Sequence, residues 1–359
     1  MFQRLKIYLY HLINSLLNKN GVSINYSKHT VLDSYNYLPP RKYVNKYFSK
    51  LHHYINHSPI SNKKPFIIEF EHFLFFCSYN DYKNYKKMLD GIQNAKKILE
   101  SDLCRGIIVW SNGSLRELNK YVNISSFKNK IHLIRPSIKE VEIKHNIDSK
   151  NFRILNIANH FWSKGTFMVI EAFKLFQSKY KDSTLNIVCN DIPKNFIIPE
   201  NVIINRSSKL SKEAKLQLFS NSDVFLHPTL QDAYGVYIEA LAYNLPTISS
   251  SIYDKDEVII NNSCGLLVDA PFSLFESNIG VEFTNYEEFV FKIKNKYENG
   301  EFDFMIKEIF QKLEYLHLNR VVLKQMRLNC SNHFKNNFSL MKRNEKINKV
   351  YSKILNEIH

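Results

Sequence analysis

The 359 residues exceed what one hydrophobic core usually supports, and 44% apolar with 14% aromatic residues excludes disorder, so two globular domains are predicted. The five cysteines are scattered and form no CxxC pair, which predicts a protein without disulfides or a zinc site. Because the sequence shows no membrane-spanning apolar run and no signal-peptide cleavage site, we expect a cytoplasmic protein. Residues 1–150 carry 24 Lys and Arg against 11 Asp and Glu, which predicts an anionic partner such as acidic phospholipid, a phosphate-bearing substrate or nucleic acid.

The N-terminal half is predicted to alternate strands and helices from residue 64 onward. Before that point, residues 5–17 are typical either of a basic interfacial helix or of a helix packed on its own domain, and residues 20–64 suggest a long polar excursion. The later elements are strands at 65–70, 105–111 and 130–135 and helices at 81–100 and 114–122. This alternation predicts a parallel sheet covered by helices, followed by a linker at 138–150.

The C-terminal half shows a clearer βαβ pattern. Short β-branched runs predict strands at 152–158, 183–189, 202–205, 224–228 and 246–250. Between them, helices are predicted at 166–180, after an N-cap at Ser211, and through Glu239. A second Rossmann-like sheet is therefore expected.

The most informative segment is 227–248, where a strand meets a turn and a helix. Gly235, which has no Cβ, and Val236 lie at the helix start, so a pyrophosphate can approach the free N–H groups of the first turn. Asp232 and Glu239 are placed to face a bound nucleotide sugar. The alternatives are that Glu239 is a solvated helix carboxylate and that Asp232 only caps the helix.

This segment resembles the signature of retaining glycosyltransferase family 4, the glycosyl transferases group 1, which has the GT-B fold. The resemblance implies that Glu239 holds the ribose and that an acidic residue, at Asp232 or at the position of Gln231, lies by the donor sugar. It also implies two facing Rossmann-like domains with a cleft between them. The expected divisions are an acceptor-side domain at 1–137, the linker at 138–150, a nucleotide-sugar domain at 151–335 and a helix at 336–359 that crosses back to the first domain.

The segment ANHFWSKG at 158–165 is similar to the phosphate-binding loop of that family. The resemblance places Lys164 at the donor diphosphate, where a cation neutralises the departing nucleotide. Asn159 stands at the usual arginine position, so His160 or a basic residue of the other domain is expected to supply the second charge. A solvated lysine beside a helix start is the alternative for Lys164.

The segment 253–269 is similar to the family's next loop, in which a glutamate precedes a short helix and a Gly-Leu-Leu-Val strand. Glu257 falls on that glutamate and is assigned to the donor. Asp254 and Asp256 also form a DxD, the metal signature of the other main glycosyltransferase fold. Because the GT-B pattern accounts for this segment, we predict no metal ion and no cofactor beyond the donor substrate.

On the acceptor side, His72 follows the strand at 65–70, near Glu69 and Glu71, and is the candidate for the family's acceptor-side histidine. The alternative is a histidine at the edge of the core. Residues 338–355 resemble the family's terminal helix.

These features predict a metal-independent glycosyltransferase that acts in surface polysaccharide or glycoconjugate biosynthesis, and the resemblance to family 4 implies that it retains the anomeric configuration. Its donor is a nucleotide-diphosphate sugar, and its acceptor is a glycan or lipid-linked hydroxyl. A GT-B epimerase and an inactive glycosyltransferase-like binding protein are the alternatives. We expect the basic first domain to bind the inner face of the cytoplasmic membrane, and we expect no nucleic-acid binding because no recognition motif is present.

Overall fold

The computed structural model describes residues 22–26, 50–56, 63–78, 85–141, 151–206, 209–231, 234–276, 280–281 and 286–358. The chain divides into two compact units. The first comprises Met1–Lys139, Ile279–Val281 and Asn337–His359, and the second comprises Glu140–Asn278 and Glu282–Asn336. The predicted helix at 5–17 lies outside the described residues. Within these ranges, no helix is long and apolar enough to cross a membrane.

The first unit contains a five-stranded parallel sheet in the order β1-β2-β3-β4-β5. Its strands are β1 (Val22–Tyr26), β2 (Leu51–Ile55), β3 (Phe66–Phe70), β4 (Cys104–Val109) and β5 (Ile131–Leu133). Its helices are α1 (Phe73–Ser78), α2 (Tyr85–Glu100) and α3 (Asn112–Tyr121), and a 3-10 turn covers Lys128–Lys130. The parallel sheet is confirmed.

Two of these strands correct the expectation for residues 20–64, which contain β1 and β2 instead of a polar excursion alone. In β2 the sequence LHHYI places two histidines where an apolar alternation is the usual signal. His53 is completely buried, and both of its ring nitrogens have polar partners there. Its Nδ1 lies 2.6 Å from the Tyr351 hydroxyl, and its Nε2 lies 3.1 Å from Glu69 Oε2. Tertiary partners therefore make a strand that local propensity does not reveal.

The second unit contains a six-stranded parallel sheet in the order β11-β10-β9-β6-β7-β8. Its strands are β6 (Phe152–Ile157), β7 (Ser183–Val188), β8 (Val202–Asn205), β9 (Val224–His227), β10 (Thr247–Ser250) and β11 (Gly265–Val268). Its helices are α4 (Thr166–Lys179), α5 (Lys212–Ser220), α6 (Tyr234–Ala242), α7 (Lys255–Val258), α8 (Tyr286–Glu298), α9 (Asp303–Leu318) and α10 (Arg320–Asn337). Two short strands, β12 (Phe275–Glu276) and β13 (Gly280–Val281), lie outside the two large sheets.

The order of the second sheet reverses between β6 and β9. From β6 the chain proceeds outward through β7 and β8, and it then returns to build β9, β10 and β11 on the other side. In open parallel sheets, the loops at the carboxyl ends of the two strands that flank such a reversal diverge and leave a crevice for a ligand. A ligand crevice is therefore expected between the segments that follow Ile157 and His227.

The last helix, α11 (Leu340–Glu357), belongs to the first unit. It starts at the N-cap Ser339, whose hydroxyl accepts a hydrogen bond from the backbone N–H of Lys342, and Ser339 forms a parallel bridge with Ile138. Residues along one face of the helix, including Ile347 and Ile354, are buried. The chain therefore returns to its first sheet at its end.

A buried ionic cluster fastens α11 to β3. Glu69 Oε1 accepts hydrogen bonds from Arg343 Nη2 and Trp110 Nε1, each at 2.5 Å, and Arg343 Nη1 donates to the Arg135 carbonyl at 2.8 Å. Burial alone would raise the pKa of Glu69, but the charge of Arg343 and the hydrogen bond and charge of His53 outweigh it and lower the pKa to about 2. Glu69 is thus a structural anion, so its place at the strand end does not make it an open acceptor-side group.

Candidate functional site

The predicted donor residues of the second unit gather along one edge of its sheet. Residues 158–165 follow β6, residues 228–231 follow β9, and residues 251–254 follow β10. All three are loops at carboxyl ends of parallel strands, and the first two flank the reversal of strand order. Asp232 lies outside the described residues, so its role and the choice between it and Gln231 remain predictions.

The loop that carries Lys164 is fixed directly against the end of β9. The Leu230 N–H donates to the Ser163 carbonyl at 2.9 Å. Gly165 has φ 74°, and a Cβ there would lie 2.1 Å from the Pro228 carbonyl oxygen. Only glycine fits this contact without a shift of the backbone. The half-buried Lys164 is consequently held beside the end of β9.

Asn159 and His160, at the start of the same loop, are exposed. His160 Nδ1 lies 3.6 Å from the Asp191 carboxylate, and its ring contacts Tyr286 with the centroids 5.4 Å apart. The backbone of the loop is held by Asp191 as well, because its carboxylate accepts the Phe161 N–H at 2.9 Å. His160 therefore lies on the loop surface, beside an acidic residue.

The helix α6 begins at this edge with half-buried Gly235 and Val236 in its first turn. Its first N–H groups have no partner within the helix, which together with the helix dipole favours an anion at this end. The helix is anchored to the sheet by Tyr237, whose hydroxyl donates to the His227 carbonyl at 2.9 Å. The backbone that would meet a phosphate is thereby held in place.

Glu239, on the second turn of α6, is an ion-paired carboxylate. Lys215 Nζ, on α5, lies 3.0 Å from one carboxylate oxygen and 2.8 Å from the other, and 12% of the Glu239 side chain is exposed. Burial and then the negative charge of Glu239 raise the pKa of Tyr243 to about 12. The alternative of a freely solvated helix carboxylate does not fit this environment.

His227, the last residue of β9, is completely buried, and neither ring nitrogen has a hydrogen-bond partner within the described residues. Burial, and then the positive charges of Lys164 and Lys255, hold the pKa of His227 well below its usual range. The imidazole is neutral as a result. Its ring stacks on Phe225, with the centroids 5.5 Å apart. Sequence reasoning did not single out His227, although its position at a strand end before a loop was a usable signal.

The segment after β10 corrects one expectation, because Glu257 lies inside the short helix α7 and not before it. Tyr253 has φ 55°, a left-handed conformation that glycine adopts more readily than other residues. The Asp254 carboxylate lies 3.2 Å from the buried ammonium of Lys255, which sits 5.6 Å from the Tyr237 ring centroid. One of the two carboxylates of the DxD, that of Asp254, is thus paired with a lysine.

His72 lies in the first unit, just before α1. Its side chain is 2% exposed, and its Nδ1 lies 3.2 Å from Glu117 Oε2. The other Glu117 oxygen accepts the Leu74 N–H at 3.1 Å, so the carboxylate links the start of α1 to α3. This burial matches the alternative of a histidine at the edge of the core, and the acceptor role stays a prediction.

Known proteins are similar in sequence to part of this chain. Residues 137–274 match the family model of glycosyl transferases group 1. Lipopolysaccharide glucosyltransferase WaaG of Escherichia coli is 26% identical over 149 residues, 40% of each chain. Capsular polysaccharide biosynthesis glycosyltransferase CapM of Staphylococcus aureus is 25% identical over 131 residues, 35% of this chain and 34% of the relative. The chain therefore matches well under half the length of both curated relatives.

Solved structures extend the likeness to both units. The crystal structure of WaaG superposes with a TM-score of 0.56 at 13% identity and covers 84% of this chain and 78% of its own. A TarM variant from Staphylococcus aureus, solved with UDP, gives 0.55 at 15% identity and covers 96% of this chain and 58% of its own. At these identities the likeness concerns the fold. The chain therefore has the GT-B fold, and its residues 137–274 match the model of the glycosyl transferases group 1 family.

Proposed function

We propose that this protein transfers a sugar from a nucleoside-diphosphate sugar to a hydroxyl of a glycan or lipid-linked acceptor, in surface polysaccharide or glycoconjugate biosynthesis. One observation carries the proposal. The loop of Lys164 packs against the segment that follows β9, where the strand order reverses, and α6 follows that segment with Glu239 on its second turn. WaaG is a lipopolysaccharide glucosyltransferase and CapM is a glycosyltransferase of capsular polysaccharide biosynthesis, and the similarity of this chain to both supports the substrate class.

In the proposed site the donor lies across the reversal point. Lys164 and the N–H groups of Gly235 and Val236 bind the diphosphate, while Glu239 accepts hydrogen bonds from the ribose hydroxyls. The bond from the anomeric carbon to the diphosphate oxygen breaks, and the nucleoside diphosphate leaves with the electron pair. The acceptor hydroxyl bonds to that carbon on the face that the diphosphate leaves, and its proton passes to the leaving diphosphate oxygen. Positive charge held in place at the leaving oxygens lowers the barrier because it needs no reorganisation.

The donor-side assignment extends to residues at the edges of this crevice. Asn159 and His160 lie on the exposed part of the Lys164 loop, and Glu257 lies on α7 beyond β10. We assign Asp232 to the donor sugar and His72 to the acceptor side, and we assign retention of the anomeric configuration from the resemblance to family 4.

Metal independence is part of the proposal. The Asp254 carboxylate is turned towards Lys255 Nζ, and Lys255 is itself fully buried, so that this carboxylate is already charge-compensated by the protein. A divalent cation would have to displace a buried ammonium. Lys164 and the helix N-terminus are positioned to neutralise the leaving group instead.

The decisive experiment is a donor screen followed by an assay in EDTA. A nucleoside-diphosphate sugar should raise the melting temperature, since a ligand that binds only the folded state stabilises it by mass action. With that donor, we expect release of nucleoside diphosphate in the presence of EDTA, and faster release with a glycan acceptor. Activity restored only by manganese would contradict metal independence. Interconversion of the donor without release would favour the epimerase, and binding without turnover the inactive binding protein.

We further propose that the first unit attaches to an anionic membrane surface, where a lipid-linked acceptor would be found. Its described surface carries exposed basic residues, namely Lys96, Lys97, Arg105, Lys120 and Lys128. Each basic residue near an acidic leaflet contributes about 1 kcal/mol. A few such residues are enough for reversible binding that salt weakens.

Sedimentation with vesicles tests this attachment. The full chain should pellet with vesicles that contain acidic phospholipid at low salt, and it should stay in solution with neutral vesicles or at high salt. Replacing Lys96 and Lys97 together by glutamine should weaken binding about tenfold or more. The matched control is the same change at Lys307 and Lys324, which are exposed in the second unit. Equal recovery with both vesicle types would refute the attachment.

A further inference from the structure

Lys215 makes a two-point contact with the carboxylate assigned to the ribose. Its ammonium lies 3.0 Å and 2.8 Å from the two oxygens of Glu239, although the two residues are on different helices, 24 positions apart. We propose that Lys215 is a positioning residue, which fixes the Glu239 carboxylate in the orientation that reads the ribose hydroxyls of the donor. This inference rests on the proposed function and names a residue that the signature segment does not include.

The ammonium of Lys215 also lies over an aromatic ring, which is itself part of a ring stack. Its ammonium lies 5.9 Å from the ring centroid of Phe219, one turn further along α5. Phe219 is fully buried and stacks on Tyr243, with the centroids 5.3 Å apart and the rings 17° from parallel. Tyr243 in turn follows the end of α6. The same ring stack therefore joins the helix of the lysine to the helix of the glutamate.

The position of α5 is itself fixed at the end near the site. Ser211 caps the helix by accepting the Ala214 N–H at 3.1 Å, and Lys215 follows within the next turn. Since α5 follows β8, it starts at the carboxyl edge of the sheet, the same edge at which α6 starts. Both charged groups are thus presented at the crevice by helix starts, which are more rigid than loops.

The Glu239 carboxylate can still accept hydrogen bonds from a ligand while it is paired with Lys215. A carboxylate has about four lone-pair sites, and an ammonium that touches both oxygens uses about two of them. The remaining lone pairs are available for two neighbouring hydroxyls. Exposure of 12% for Glu239 and 22% for Lys215 shows that the pair reaches the surface, so a ligand can approach it. Without the lysine, the flexible glutamate side chain would have to be ordered by the ligand at an entropic cost.

The test compares nucleotide affinities of the wild type, Lys215→Met and Lys215→Arg. The probes are UDP and 2′-deoxy-UDP, and isothermal calorimetry measures binding. We expect Lys215→Met to weaken UDP binding about tenfold to a hundredfold, because hydrogen bonds to a carboxylate are among the stronger ones. Its affinity for 2′-deoxy-UDP should change much less, so that the preference for ribose falls. Lys215→Arg, which keeps the charge and two donors, should recover part of that preference.

The matched control is Lys179→Met, which breaks another ion pair of the same unit, 2.6 Å from Glu314, and should leave both affinities unchanged. Equal weakening of both nucleotides by Lys215→Met would mean a general structural role, and tighter UDP binding would mean that the lysine blocks the ribose; either result overturns the inference. In both cases a wild type that prefers UDP leaves the proposed function intact. A wild type that binds no nucleoside diphosphate would refute the proposed function and this inference together.

Discussion

Replacement of Glu239 by alanine is expected to reduce sugar transfer by about a hundredfold to ten-thousandfold while the protein remains folded. The proposed carboxylate accepts hydrogen bonds from two ribose hydroxyls, and each hydrogen bond to a charged group contributes about 1.5–3 kcal/mol. At about 1.4 kcal/mol for each factor of ten, their loss gives this range. Lys215, the partner of Glu239, is 22% exposed and can be hydrated in the variant, so stability should change little.

Steady-state kinetics with varied donor, together with the melting temperature, measure this effect. Glu239→Gln keeps the shape and one carbonyl acceptor, so its loss should be smaller than that of the alanine variant. The control is Glu213→Gln on α5, an exposed carboxylate on the helix that carries Lys215, which should behave as the wild type. Near-normal kinetics in a folded alanine variant would show that α6 is not the ribose-binding helix.

Replacement of Arg343 by methionine is expected to lower the free energy of unfolding by about 3–5 kcal/mol. The change removes the main counter-charge of Glu69 and leaves a buried carboxylate without adequate compensation. It also frees the Arg135 carbonyl, which accepts a hydrogen bond from Arg343 at 2.8 Å. Denaturant unfolding at neutral pH measures the loss. Lys342→Met, at a partly exposed neighbour whose ammonium lies 3.3 Å from the Glu345 carboxylate, should change stability by less than about 0.5 kcal/mol.

The loss of stability caused by Arg343→Met is expected to depend on pH. In the wild type the pKa of Glu69 is lowered to about 2, so Glu69 contributes stability above the ordinary carboxyl range, and this contribution is lost as the pH falls towards 2. In the variant, burial raises the pKa of the same carboxyl, which takes up a proton earlier on acidification. The stability gap between wild type and variant should therefore narrow as the pH is lowered from about 7 to about 4. A gap that stays constant would mean that Arg343 acts only through packing.

The second sheet was predictable from sequence because its strands are short β-branched runs and its helices carry clear start signals. The cap at Ser211 is confirmed by its hydrogen bond to the Ala214 N–H. The strand β2 was not predictable, since the buried position of His53 depends on a hydrogen bond with Tyr351, 298 positions away in sequence. Hydrophobic periodicity contains no information about such a partner.

The same limit applies to the candidate site. The loop of Lys164 and the start of α6 were predictable because each is a local motif at a strand end. The engagement of Glu239 by Lys215 was not, since it depends on how α5 and α6 pack. Glu69 shows the opposite error, because an acidic residue at a strand end suggested the crevice while Arg343, 274 positions later, makes it part of the interior.

The return of α11 to the first sheet has a consequence for synthesis on the ribosome. Domains generally fold in the order in which they are made. Here the first unit lacks α11 until residues 340–357 have been translated, whereas the residues of the second unit end at Asn336. During translation, the growing chain therefore holds the Glu69 carboxylate without Arg343, and burial of that anion is unfavourable until the helix arrives. The first unit is therefore completed only after the second, and a nascent chain that stops before residue 340 exposes an unfinished sheet to chaperones and proteases.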